Sequence, residues 1–482
     1  MSAIPTIPQV SRESLLHQLY EAAELEHNLM CTYLYAAFSL KMGTEEGLTA
    51  AEAQATARWR RAILLVAVEE MGHLTAVWNI TSALGGSPRF GRFNFPLDPG
   101  ALPANVVVRL APFSEAVLQH FIYLERPSGS HEPDGAGFAP EFAFTRGTIR
   151  GRITPMPVDY DTVGDFYQCL SRDLNSFVAR VGEREAFCGD RNLQISRAEI
   201  DFQGCDPVIC AKTALAAFDA IVSQGEGASA ANAESHYQRF ITVREEMKAL
   251  QAVNPAFEPA HPAAVNPVLR RPVRPGTRIW LENEEAAATV DVANSAYMLM
   301  LRLIAHSYLI PRPDPLKALC IDLALGLMRA MAPLGDRAAR LPAGPSNPAC
   351  NAGMSFTTLR DAAPFPPGAS SVRFFSERFA ELGAAAQGLL ARANGDARVA
   401  HSVRVLAELE RRAARRLGPA EEAAAGDRAH APAPANTPAA TTTAISPVTA
   451  GEDAAGNAGK VEPGNVAPTP RSVDGVDYIE GR

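Results

Sequence analysis

Apolar residues recur at helical spacing along most of this chain, and the first clear run covers residues 13–42. It begins after Ser11, a residue type that caps helix N-termini, and stops at Gly43. Steps of three and four residues pick out Leu16, Leu19, Ala23, Glu26, Met30, Tyr33 and Ala37 as one stripe, with Glu26 at its middle. The same steps over a second helix, residues 52–84, give Trp59, Ile63, Val66, Glu70, His73, Val77, Ile80 and Leu84. Gly85-Gly86-Ser87-Pro88 ends that helix. A third helix is predicted over 207–224 and a fourth over 232–251. Between the second and third lies a connection rich in Gly, Pro and Phe, residues 85–205, with helical patches near 113–124 and 162–180. Beyond a Pro-rich boundary at 252–275, further helical patterns occur near 281–309, 313–333 and 372–417. Nothing alternates with period two for long enough to claim a sheet. The expected fold class is all-α, a four-helix bundle with a long crossover between its second and third helices, plus an additional C-terminal helical region.

Three segments follow from this pattern. Residues 1–255 form the bundle with its crossover, and 256–417 form a helical region that packs against it or makes a homodimer contact. Residues 418–482 are rich in Ala, Pro, Thr and Gly, with almost no large apolar side chains. Such a tail cannot offset its ordering entropy and is expected to be disordered.

Polar residues inside the apolar stripes carry the candidate chemistry. A carboxylate there costs several kcal/mol unless it is paired or binds a metal. Glu70 and His73 stand three residues apart, so both project from one turn in the same direction. The third helix leads through Val208, Ala211, Leu215, Phe218 and Val222 to Glu226, and the fourth starts a stripe at His236 that continues through Phe240, Val243 and Met247. Glu26, Glu70, His73, Glu226 and His236 are therefore the candidate metal ligands, one carboxylate short of the set that dinuclear bundles use. Glu69 and Glu234 are the nearest candidates for the missing ligand, each off its stripe. A donor set of carboxylates and imidazoles without thiolates suits iron, with manganese as the alternative, and one or two ions. Tyr33 is the candidate catalytic side chain, with core packing as its other reading. Pairing of Glu26 and Glu70 with arginine is the rival, metal-free account.

Composition narrows the partners. With 45 basic against 53 acidic residues the net charge is −8, which argues against nucleic acid as the main partner. Arg outnumbers Lys 40 to 5, which reads as coding bias rather than phosphate recognition. No run reaches the ~18 consecutive apolar residues of a membrane span, and the first residues lack a signal pattern. Seven scattered cysteines read as reduced thiols, so a cytoplasmic location with no membrane partner is expected.

The stretches Glu24-Leu25-Glu26-His27, Glu69-Glu70-Met71-Gly72-His73, Gln224-Gly225-Glu226-Gly227 and Ser235-His236-Tyr237-Gln238-Arg239-Phe240 resemble the ferritin-like domain of iminophenyl-pyruvate dimer synthases. These are the enzymes that couple two arylpyruvate-derived imines in violacein and indolocarbazole biosynthesis. The resemblance covers residues 12–255 well and extends more loosely to about residue 335. It implies a ferritin-like bundle with non-haem iron, and an oxidoreductase of specialised metabolism that uses O2 or peroxide. Its substrate would be a small molecule derived from an arylpyruvate or an amino acid. An iron-handling protein of ferroxidase or storage type, with no organic substrate, is the alternative. Arg89, Arg92, Arg146, Arg150 and Arg152 are candidates to hold a substrate carboxylate, and Phe90–Gly100 is a candidate lid.

Overall fold

The computed structural model describes residues 10–97, 106–140, 160–201, 203–225, 232–273, 276, 278–358 and 364–417. The predicted tail therefore lies outside the described residues. The first helix, α1 (Arg12–Ser39), starts where Ser11 and Ser14 cap each other reciprocally. The second, α2 (Ala50–Ala83), starts earlier than its apolar stripe because Thr49 and Glu52 form the same kind of box. It ends at Gly85, whose φ of 80° is the left-handed geometry of a helix terminus. The two run antiparallel: Arg12 donates to Leu84 O (2.6 Å) and Arg60 to Ala37 O (2.8 Å). From Glu21 to Ser39 almost every residue of α1 is buried, since helices pack on more than one of its faces.

The rest of the bundle departs from the sequence reading. Its third position is filled by two helices laid end to end, α3 (Glu115–Leu124) and α4 (Val163–Val181), both inside the predicted connection 85–205. They run antiparallel along α1. Phe113 N donates to Ser39 Oγ (2.8 Å), Phe121 packs on Tyr33, Tyr167 reaches Glu26, and Gln18 donates to Asp173 (2.9 Å). The short α5 (Glu183–Ala186) follows. The fourth position is likewise split, into α6 (Ala211–Gln224) and α7 (His236–Val253). These track α2: Asn254 donates to Glu52 (2.8 Å), Trp59 to Glu246 (2.7 Å), and Asn79 to Asp206 O (3.4 Å). Residues 211–224 are thus half of the fourth helix, not the third, and the crossover from α2 spans only 84–114.

Among the described residues a second group of four helices follows: α8 (Glu284–Ser307), α9 (Pro315–Ala338), α10 (Ala369–Arg392) and α11 (Ala397–Leu417). The single pattern predicted over 372–417 is broken at Asn394-Gly395, both at positive φ. A two-residue parallel pair, β1 (Pro267–Val268) with β2 (Ile279–Trp280), lies beside α8. The second group docks on α1 and α2 through α9. Arg60 makes a two-pronged bond to Asp336 (2.8 and 3.1 Å), and Gly335 lets the Phe38 ring approach so closely that a Cβ would overlap it. Six of the eleven methionines, Met30, Met71, Met300, Met328, Met331 and Met354, fill the seam, where flexible thioethers accommodate two curved surfaces. Among the described residues two helices, α2 and α9, are long and apolar enough to cross a membrane, yet most of each apolar window is buried in the protein.

Candidate metal centre

Both breaks in the bundle fall at the same level, and that is where the acids and imidazoles meet. Glu26 comes from α1, Glu70 and His73 from α2, Glu125 from the C-cap of α3 and His236 from the first residue of α7. All five are buried. They form two triads that share Glu70: Glu26, Glu70 and His73, and Glu70, Glu125 and His236, with donor atoms within 4.8 Å of one another in each. Glu70 Oε2 lies 2.9 Å from His73 Nδ1, and its Oε1 lies 3.1 Å from His236 Nδ1. Glu26 Oε2 is 3.6 Å from His73 Nδ1, and Glu125 Oε2 is 3.5 Å from His236 Nδ1.

One atom of each outer ligand is tied and the other is left bare. Tyr167 donates to Glu26 Oε1 and Tyr33 to Glu125 Oε1, while both Oε2 atoms have no hydrogen-bond partner. His236 Nε2 is held by Glu69 Oε2 (3.0 Å), and His73 Nε2 by Gln224 Oε1 (3.1 Å). Gln224 is itself oriented by its bond to Gln203 (2.9 Å), and Glu69 by Arg239 (2.6 Å). An imidazole that gives its Nε2 proton to such an acceptor turns its Nδ1 lone pair inward, toward carboxylate lone pairs. Glu70 Oε1 and His236 Nδ1, 3.1 Å apart, likewise make no hydrogen bond. Buried acceptors facing one another are costly, and a cation between them removes that cost. The space is present too: a Cβ on Gly225 would stand 2.8 Å from His236 Nδ1 and 3.1 Å from Glu125 Oε2.

Protons respond to the same field. Burial drives the Glu26 pKa up to about 8, against the opposing pull of His73. Burial acts the same way on Glu70, but the neighbouring His73 and His236 outweigh it and hold that carboxyl well below the usual range. Burial lowers both imidazoles, and the acids reverse this, Glu70 chiefly for His73 and Glu125 for His236, so each rises well above 6.5. Protons thus balance these charges when no cation does.

Four of the five predicted ligands, Glu26, Glu70, His73 and His236, come together. The fifth, Glu226, lies outside the described residues. The buried stripe of α6, Ala214, Phe218 and Ile221, is rotated from the predicted one and leads to Gly225 at the cluster. Glu125 was missed, although it continues the stripe Leu118, Phe121, Ile122; the segment read as a patch in a connection rather than as a bundle helix. Tyr167, on the other half of that helix, was missed for the same reason. Tyr33 sits outside the triads and orients Glu125, with its ring against Phe121 and Phe240. Glu69 stands behind His236, and Glu234 is exposed beside Arg239. Among the described residues no arginine pairs with Glu26, Glu70 or Glu125, contrary to the metal-free account. Arg92 is buried against Tyr297 and Phe356, Arg89 lies over Tyr20, and Arg146, Arg150 and Arg152 fall outside the described residues. We expect Glu69→Gln and Gln224→Ala each to weaken metal binding by about 10–100-fold while the helical signal is kept, measured by competition with a chelator. Unchanged affinity would show that the imidazoles need no such support.

An all-helical bundle with this buried acid and imidazole cluster is a ferritin-like architecture. Residues 19–245 match the family model described as Ferritin-like, and the chain carries a ferritin-like domain. It is 29% identical over 363 residues to a 2-imino-3-(indol-3-yl)propanoate dimerase of Chromobacterium violaceum, covering 69% of this chain and 33% of that protein. It is 26% identical over 429 residues to a dichlorochromopyrrolate synthase of Lentzea aerocolonigenes, covering 79% of this chain and 39% of that one. The chain thus spans a third to two-fifths of the length of these curated relatives, both of which are named as enzymes. A crystal structure of a ferritin-like protein from Caulobacter vibrioides aligns with TM-score 0.44 and 17% identity, over 73% of this chain and all of that one.

Proposed function

We propose that this protein is a non-haem iron oxidoreductase of specialised metabolism, using O2 or peroxide on a small molecule derived from an arylpyruvate or an amino acid. The observation that carries this reading is the set of bare, inward atoms, Glu26 Oε2, Glu70 Oε1, Glu125 Oε2 and His236 Nδ1, in a buried cluster with tied outer atoms. Glu26, Glu70 and His73 would hold one ion, and Glu70, Glu125 and His236 a second. Iron fits this donor set, with manganese the alternative, and supplies redox chemistry toward O2 or peroxide. The phenols of Tyr33 and Tyr167 fix the carboxylates, Glu69 and Gln224 fix the imidazole tautomers, and the apolar bundle keeps bulk water away. The imine chemistry in the first relative's name supports the substrate class. Neither nucleic acid nor membrane has a part in this reading.

Single-turnover oxygen consumption by Fe(II)-loaded protein tests it. Oxygen uptake should depend on an arylpyruvate or its amino-acid-derived imine and should be accompanied by loss of that compound. Iron oxidation and accumulation that ignore every organic compound would instead support the ferroxidase or storage alternative.

A further inference from the structure

A cavity of about 770 Å³ opens between β1, α8, α10 and the segments around residues 94–95 and 355–358. It shares no residue with the acid and imidazole cluster. Among the described residues four arginines line it, Arg270, Arg278, Arg302 and Arg378, and one acid, Asp291; Arg278 donates to Phe95 O (3.2 Å) and Arg378 pairs with Glu381. Arg270 has no hydrogen bond or ion pair among the described residues. Arg302 lies over the Phe365 and Phe374 rings, 5.4 and 5.7 Å from their centres, which holds its planar fork in place. Like charges gathered in one concavity repel. Burial, and then the neighbouring Arg378, hold the Arg302 pKa below the usual arginine range.

The cavity floor is built rather than left over. Asn294 donates to Ser355 Oγ (2.8 Å) and accepts from Thr357 N (3.2 Å). Asn94 donates to Thr358 O (2.7 Å) and accepts from Thr358 N (2.8 Å). Two of the three non-glycine residues at positive φ among the described residues, Asn266 at 46° and Phe356 at 45°, adjoin lining residues in sequence, Pro267 for the first and Ser355 and Thr357 for the second. Strained backbone of this kind persists only where its surroundings over-determine it, as at ligand sites. The remaining wall is apolar, with Phe95, Val268, Met298, Leu299 and Phe374. A volume of this size lies within the ~300–1,000 Å³ of small-molecule sites.

We propose that this cavity binds an organic carboxylate with a planar apolar body, at a site separate from the acid and imidazole cluster. The guanidinium forks match a carboxylate through paired N–H···O bonds, and the phenylalanine and methionine side chains cover the body of the ligand. A compact hydrophilic anion would leave that apolar wall in contact with water. The binding does not depend on metal, so it stands or falls apart from the reading of the first site.

The test is isothermal titration calorimetry of the full chain with 2-naphthoate, with 2-naphthamide and inorganic phosphate as separate arms. Naphthoate should bind saturably, and the amide and phosphate at least about tenfold more weakly. Arg270→Gln combined with Arg302→Gln should weaken naphthoate by about tenfold or more. Ser295→Phe, which narrows the cavity without changing charge, should do the same, while removal of metal with a chelator should leave binding unchanged. Unfolding curves on each variant confirm that the fold is kept. Equal binding of the amide would show that charge is not read, and equal binding of phosphate that the apolar body is not. Full affinity in both cavity variants, or loss only on removal of metal, would place the ligand elsewhere and overturn the proposal.

Discussion

Glu70→Ala is expected to abolish tight metal binding by the chain. Glu70 is the one side chain that offers an oxygen to both triads, Oε2 beside His73 and Oε1 beside His236. Its removal leaves two remnants of one carboxylate and one imidazole each. The loss in affinity at each should exceed the ~10–100-fold that removal of an outer hydrogen-bond partner costs. Elemental analysis of protein purified under Fe(II) should fall from about two ions per chain to near zero, whereas Glu125→Ala should keep the ion of the first triad. The metal-free protein should suffer too. Both imidazoles lose the carboxylate they share, and breaking a buried ion pair costs about 3–5 kcal/mol. Glu70→Gln, which keeps the volume, separates loss of the charge from loss of packing in unfolding experiments. Full metal content in either variant would contradict the assignment.

The second large effect comes from adding a single carbon. Gly225→Ala should close the second position and spare the first. The new Cβ would lie 2.8 Å from His236 Nδ1 and 3.1 Å from Glu125 Oε2, closer than an uncharged carbon normally comes to either. Neither neighbour has much room to retreat. His236 and Glu125 are fully buried, the first tied to Glu69 and the second to Tyr33. Metal content should drop from about two ions to about one, and the anomalous signal at the iron edge should vanish only between Glu125 and His236. Gly225 sits at φ −117° and ψ −93°, outside the regions favoured by residues with a Cβ, so unfolding curves and retention of the first ion distinguish loss of the second position from loss of the fold. Retention of two ions with normal occupancy would show that the second ion does not occupy this space.

The contrast between the two halves of the cluster explains how much of it could be read beforehand. Glu26, Glu70 and His73 sit on unbroken helices of 28 and 34 residues, long enough for several apolar residues on either side to define the inward face. Glu125 closes a helix of only 10 residues, followed by an insertion before α4 resumes the same line. Periodicity has too few turns there to separate a bundle helix from a patch in a loop. His236 was legible because it starts a long stripe, whereas the buried stripe of α6, Ala214, Phe218 and Ile221, is rotated from the predicted one and leads to Gly225. The break in the final helical pattern at Asn394-Gly395 carries its own local signal, a pair of residues that tolerate left-handed backbone.

Spacing alone determined that this chain is helical, that α1 and α2 each turn acid or imidazole groups toward an apolar core, and that a second helical region follows. Those are consequences of side chains three and four residues apart sharing a face, and a sequence records them directly. Which fragments complete the cluster was decided by tertiary packing. Glu125 and His236 lie 3.5 Å apart although more than a hundred residues separate them. Their meeting requires two broken helices to line up along α1 and α2, and no local period encodes that alignment. The arginine-lined cavity is of the same kind, since its walls come from segments far apart in the chain that only the docked second helical group brings together.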